Sequence, residues 1–221
     1  MKDSVDIACL ASMDLFAGIS EDNISQLLHC TQARPVAYRK DDFIVEEGST
    51  VHDFGVVLSG QARSMKWDSS GKIIIISMLS QGSEIGVMLV ARHEQRSPVS
   101  VQAIEDVTVL KIPYGRMMAR CEKACNCHEQ LLGNYIAAVA AKGLVLHERI
   151  DCLLRPSVRD KILTYLRRLA REQGSAEIHV PFNRNTMAEY LNIERSALSR
   201  ELSQMKHDGL IAYRLNNFTL L

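Results

Sequence analysis

Between Leu132 and Leu153 the apolar positions alternate by four and three: Leu132, Ile136, Val139, Gly143, Leu146, Ile150, Leu153. Held for three heptads, that spacing requires one long α-helix, set here from Cys127 to Leu154, and marks a seam between two such helices. The alternative is a long helix buried in its own domain, but heptad spacing sustained this far favours a dimer. A second row, Leu131, Tyr135, Ala138 and Val145, suits packing on the preceding domain. Gly143 lies in the seam and weakens the helix locally by roughly 1 kcal/mol relative to Ala. Arg155-Pro156 then ends the helix, since proline cannot donate to the ladder and restricts the residue before it. The long helix thus divides the chain into residues 1–126, 127–154 and 155–221.

Before the helix the pattern has period two. From Pro35 to Ile112 short strands alternate with turn residues. Strands are expected over Phe43–Val45, Phe54–Leu58, Ala62–Trp67, Lys72–Leu79, Val99–Ile104 and Val107–Ile112. Asp68-Ser-Ser-Gly71 forms a hairpin turn between two of them. Many short strands at regular spacing predict a β-sandwich or barrel-like roll. Ahead of them, Ala11 to Cys30 reads as helical, with Ser20 as an N-cap before Ile24, Leu27 and Leu28. Tyr114 to Arg120 is expected to form a short helix.

After the helix, Ser157-Val-Arg-Asp160 resembles a capping box with Asp in place of Glu, opening a helix through Ile162, Leu163, Leu166 and Leu169. Ile178 to Phe182 reads as a strand, and Pro181 puts it at an edge. Thr186 to Leu202 then reads as two helices around a tight turn. Met187, Ala188 and Leu191 share one face of the first; Ala197, Leu198, Leu202 and Met205 are apolar in the second. Asn192 stands at the turn, where Asn tolerates a left-handed backbone. Arg195, Ser196, Ser199 and Arg200 face outward and can donate to phosphates and guanine edges. Gly209–Tyr213, Asn216-Asn217 and Phe218–Leu221 form a closing hairpin, the wing of a winged helix.

The total charge is zero, with 26 Lys/Arg against 26 Asp/Glu, but it is unevenly spread. Residues 155–221 carry eleven Lys/Arg against seven Asp/Glu, a net of +4, and the first 154 residues carry the balancing −4. A mildly basic C-terminal module is what phosphate contact requires. No secretory signal is visible, and the longest aliphatic run, Ile73–Ile76, is strand-length, so a cytoplasmic protein is expected. In that compartment six cysteines read as free thiols, ligands or redox sensors rather than a disulfide framework. No nucleophile–base set, Walker loop or paired-carboxylate motif points to an enzyme.

Glu46-Glu-Gly48, Val56-Val-Leu-Ser-Gly60, Gly82-Ser-Glu-Ile-Gly86 and Arg96-Ser-Pro-Val-Ser-Val101 follow one another at the spacing of a cyclic-nucleotide-binding β-roll. With the helix-turn-helix behind them, the chain resembles the cyclic-AMP receptor protein / fumarate-nitrate reduction regulator (Crp/Fnr) superfamily over nearly its whole length. The resemblance implies an α+β fold: a sensory β-roll over 1–126, a dimerisation helix over 127–154 and a winged helix-turn-helix over 155–221. It also implies a homodimer on a two-fold symmetric double-stranded DNA site, in contact with RNA polymerase where it activates. Base contacts would come from Arg195, Ser196, Ser199 and Arg200. Ser196 departs from the Glu often found there, and Arg184 and Thr186 are phosphate-contact candidates. A β-roll regulatory protein without DNA binding is the competing reading; the basic C-terminal module argues against it.

Effector-pocket candidates are Gly82, Glu84, Ile85, Gly86, Arg96 and Ser97. Nucleotide-binding members of the family place a Glu after the second Gly for the ribose; here Val87 stands there and cannot accept a hydrogen bond. Pro98, where a small residue is usual, is a second departure. Cyclic-nucleotide sensing is therefore not expected, and haem, an iron–sulfur cluster, zinc or no cofactor all remain open. Cys121, Cys125, Cys127 and His128 form a metal or redox candidate just before the long helix. Their spacing fits no standard ligand signature.

Overall fold

The computed structural model describes residues 5–71, 73–91, 96–119, 126–181 and 183–221. The chain divides into two compact units, Met1–Lys66 with Ile76–Gly143, and Trp67–Ile75 with Leu144–Leu221. The division falls inside the long helix, next to Gly143.

The first unit opens with α1 (Ile7–Ala11), a 3₁₀ turn (Asp14–Phe16) and α2 (Glu21–Thr31). The helix expected from Ala11 to Cys30 is therefore broken. Gly18 takes a left-handed backbone, φ +75°, in the break. The irregular turn buries Leu15, Phe16 and Ile19 together. Its freed carbonyls are not orphaned: Asn134 Nδ2 donates to Leu15 O at 3.0 Å and to Ala17 O at 2.9 Å. Ser20 does cap α2 by position, but its hydroxyl makes no capping hydrogen bond.

Eight strands follow: β1 (Arg34–Tyr38), β2 (Phe43–Val45), β3 (Asp53–Ser59), β4 (Ala62–Trp67), β5 (Ile73–Leu79), β6 (Glu84–Ile85), β7 (Ser100–Ala103) and β8 (Val107–Pro113). They form two four-stranded sheets, β1-β8-β3-β6 and β2-β7-β4-β5. Val56 and Val109 from one sheet and Ile44, Val101 and Ala103 from the other share one core. Pro35 lies on β1, at a sheet edge where its missing N–H costs no ladder bond. The period-two pattern placed the other strands within a residue or two. It named neither β1, whose burial does not alternate cleanly, nor the two-residue β6.

The short helix α3 (Tyr114–Met118) leads to α4 (Asn126–Leu153). Leu131 and Tyr135 join the β-roll core, and Ala138 is buried beside them. Val145, placed in the same row from the sequence, is instead exposed. The row leaves the roll near Lys142, whose ammonium pairs with Glu84 at 3.3 Å. Of the seam residues, Leu132 and Val139 are partly buried against the roll, while Ile136 is 60% and Ile150 56% exposed.

The second unit contains α5 (Val158–Gln173), β9 (Glu177–His179), α6 (Arg184–Leu191), α7 (Arg195–His207), β10 (Ile211–Arg214) and β11 (Asn217–Leu220). Ser157 Oγ accepts from Asp160 N at 3.0 Å and donates to the Asp160 carboxylate at 2.7 Å. The carboxylate thus holds the capping hydroxyl, where a longer Glu reaches back to the cap's own N–H. The strands pair in the order β10-β11-β9, which leaves β9 at an edge and ends it before Pro181.

Gly60 connects β3 to β4 with φ +80°, and a Cβ there would lie 2.2 Å from Asp106 O. Gly71 has φ +81° with open space around it. Gly71→Ala should cost about 1 kcal/mol from the left-handed backbone alone. Gly60→Ala must also displace the backbone before β8 and should cost at least about 2 kcal/mol more. Urea unfolding of the two variants checks the difference.

Candidate nucleic-acid interface and cassette corner

Helix α6 is started by Asn183, whose side-chain oxygen accepts from Thr186 N at 3.1 Å. It is ended by Asn192 at φ 50°, ψ 56°. Ile193 N then reaches back to Ala188 O at 3.0 Å, satisfying a carbonyl at the helix end. This sharp stop lets α7 begin at Arg195. Leu198, Leu202 and Met205 are buried behind α7, against a core that includes Met187, Ala188 and Leu191. Arg195, Ser196, Ser199 and Arg200 are all exposed on its outer side. The turn residue and the apolar positions were legible in the sequence. The Asn183 cap was not read, although an Asn three residues before Thr186 carries the capping signal.

The back of α7 is fixed by charge as well as packing. Arg159 on α5 donates from Nε to Glu201 Oε1 at 2.6 Å and pairs through Nη2 with Asp208 Oδ2 at 2.8 Å. The Glu201 bond raises the Arg159 pKa above the usual arginine value. Asp208 is held below the usual carboxylate value, first by the Gln204 amide and then by Arg159. One guanidinium thus ties two points of α7, seven residues apart, to α5.

Arg184, a phosphate-contact candidate, is engaged within the chain. Its Nη2 donates to Leu215 O at the wing tip, 2.8 Å away. Its guanidinium also lies 4.9 Å from the Tyr213 ring centroid and 4.6 Å from that of Phe218. Burial lowers its pKa. Leu215 itself has φ +53° and is exposed, so the carbonyl bond helps hold an unfavourable backbone. Thr186 is half-buried, its amide taken by the Asn183 cap.

In the first unit, Gly82 and Gly86 are both left-handed, at φ +83° and +77°. Between them Glu84 and Ile85 form β6 against Val56 and Gly55. Ile85 is buried, and the Glu84 carboxylate is engaged by Lys142. The Val87 side chain is buried, and its carbonyl accepts from Tyr135 Oη at 2.5 Å. Burial pushes the Tyr135 phenol up to about 12. Ser97 is buried with its hydroxyl on Val99 O, and its backbone exchanges hydrogen bonds with Gly48 and Ser49. Arg96 Nη1 donates to Gly48 O at 3.1 Å. The cassette residues come together, with Arg96 and Ser97 bonded within the corner and Glu84 and the Val87 carbonyl bonded to α4.

Cys121 and Cys125 lie outside the described residues. Cys127 is buried in the β-roll core, and His128 is half-buried. Among the described residues no group of three His, Cys, Asp or Glu is placed to hold a metal ion.

Residues 35–124 match the model of the cyclic nucleotide-binding domain, and residues 160–221 match that of the Crp-like helix-turn-helix domain. The chain is 26% identical to the nitrogen fixation regulation protein FixK of Bradyrhizobium diazoefficiens, over 85% of this chain and 78% of that protein. It is 23% identical to the transcriptional activator protein anr of Pseudomonas aeruginosa, over 82% of this chain and 73% of that protein. Among solved structures, FixK2 from Bradyrhizobium japonicum superposes with a TM-score of 0.65 at 22% identity, covering 85% of this chain and 92% of that one. The c-di-GMP responsive global regulator CLP of Xanthomonas campestris gives 0.71 at 16% identity, covering 91% of this chain and 99% of that one. At these identities the two structures bear on the fold alone.

Arg184→Ala removes a charge-assisted hydrogen bond and two ring contacts. It should destabilise the protein by about 1–2 kcal/mol. If Arg184 acts at phosphate instead, thermal unfolding of the free protein will not move.

Proposed function

The chain belongs to the Crp/Fnr superfamily of DNA-binding transcription regulators, and from that premise we propose that it acts as a non-enzymatic, cytoplasmic homodimer reading a two-fold symmetric site. The observation that carries this reading is the outer face of α7. Two arginines and two serines stand exposed on a helix whose other side is buried and ion-paired to α5. A helix so held presents donors in fixed positions, which base-edge recognition requires. Arg200 is assigned to guanine by a bidentate bond, and Arg195 to phosphate or base. Ser196 and Ser199 supply shorter hydroxyl donors.

Dimerisation through α4 is supported by the exposed seam residues Ile136 and Ile150 and by the exposed Leu144 on the same helix. Transmission is supported by two contacts that tie the cassette corner to α4, Tyr135 to the Val87 carbonyl and Lys142 to Glu84. An effector that shifts the Gly82–Gly86 corner would bias the position of α4 and hence the spacing of the two α7 helices. Contact with RNA polymerase follows where the protein activates. Cyclic nucleotide is disfavoured as the effector, because Val87 offers a buried side chain and a carbonyl already bonded.

Arg200→Ala should weaken binding to the cognate site by about 1–3 kcal/mol, or roughly fivefold to 150-fold, while the circular dichroism spectrum is unchanged. Binding should also weaken steeply with salt. An affinity equal to wild type on every promoter fragment would favour a regulatory protein that does not read DNA through this helix. Ile150→Asp should shift the protein from dimer to monomer in sedimentation velocity; a dimer that persists would move the interface off α4.

A further inference from the structure

A cavity of about 30 Å³ lies where the last turns of α4 meet α5 and the end of α6. The deep part of its lining is cationic and aromatic. Arg149 is 5% exposed, and the Arg168 side chain 14%. Both converge on one pair of tyrosines. The Arg149 guanidinium lies 4.5 Å from the Tyr190 ring centroid, and that of Arg168 5.4 Å from Tyr165. The two rings are themselves 5.3 Å apart. Arg168 Nη2 also reaches Tyr190 Oη at 3.5 Å, and Arg149 Nη2 reaches Tyr190 O at 3.4 Å.

The carboxylates are placed differently. Asp151 is exposed and held by Arg155 at 2.6 Å. Glu148 is 3.9 Å from Arg171, and Glu172 bonds Arg168 from the solvent side. The cavity therefore has two positive charges in its desolvated part and its negative charges towards water. Burial lowers the Arg149 pKa, and the neighbouring Arg168 lowers it further, the sign expected of like charges close together. The tyrosine faces offset part of that repulsion. A negative charge in the cavity would offset more, and would bridge three helices at once.

We propose that this cavity binds a small inorganic anion, held by Arg149 and Arg168 and entered past Arg171, that stiffens the junction of the long helix with the helix-turn-helix module. A volume of this size takes two or three water-sized particles at about 10–15 Å³ each. That suits chloride, or one edge of an oxyanion such as phosphate, and excludes a nucleotide. The inference is independent of which DNA sequence α7 reads, because none of the outward α7 residues lines the cavity.

The test uses the full chain without DNA, at constant ionic strength, with potassium gluconate replaced by chloride in one arm and by inorganic phosphate in the other. Calorimetric titration and thermal unfolding are followed for wild type, Arg168→Gln and Arg200→Gln, each checked by circular dichroism. Saturable binding of either anion to wild type and Arg200→Gln is expected. At ten times its Kd that anion should raise the folded-to-unfolded ratio about elevenfold, and Arg168→Gln should lose most of this response. A response by chloride alone, or by phosphate alone, identifies which anion the site takes. No saturable response to either, or an equal response in Arg168→Gln, overturns the proposal. Because Arg200→Gln removes a DNA contact and not a cavity residue, loss of DNA binding and loss of anion binding are read separately.

Discussion

A helix of 28 residues with apolar side chains on two sides has to be covered twice. In α4 the first cover comes from its own chain. Leu131, Tyr135 and Ala138 are buried, and Asn134 and Lys142 fasten the helix by hydrogen bond and ion pair. The second side is left with Ile136, Leu144 and Ile150 in water. Covering each is worth roughly 1.5–3 kcal/mol. That exposure is the observation on which the proposed dimer rests. The same Asn134 also satisfies carbonyls of the turn between α1 and α2, so the N-terminal segment takes its shape from the helix that follows the roll.

The cassette corner shows how a motif can keep its backbone while its chemistry changes. Gly82 and Gly86 retain the left-handed conformations that set the turn. The intervening Glu84 is spent on Lys142, Val87 is turned into the core, and Ser97 bonds within its own loop. A ligand at this corner would have to displace intrachain bonds already made. The family match over residues 35–124 therefore describes the architecture more securely than the ligand.

Much of this could be read from the residues because the patterns were local. Heptad spacing marked the long helix α4, and Asn192 marked the turn before α7 by its own backbone tolerance. What escaped depends on distant partners. The break before α2 is stabilised by Asn134, more than a hundred residues away. β6 is two residues long and exists only as a partner of β3. Val145 fits the packing row by spacing, but it is exposed. The Arg159 clamp joins residues 42 apart, and no spacing rule reaches that far.

Arginine is the residue whose role sequence alone assigns least well, because its role follows its burial. Arg195 and Arg200 are exposed, so their guanidiniums keep donors for a partner. Arg184, at the start of α6, lies against the Tyr213 and Phe218 rings. Arg159 has two carboxylates in reach and becomes a clamp. Arg149 and Arg168 are drawn against tyrosines in a low-dielectric cavity, where a positive charge is costly unless compensated. A basic C-terminal module is thus a poor measure of how much charge is offered to DNA. Part of it is committed to holding α7 and the wing in place.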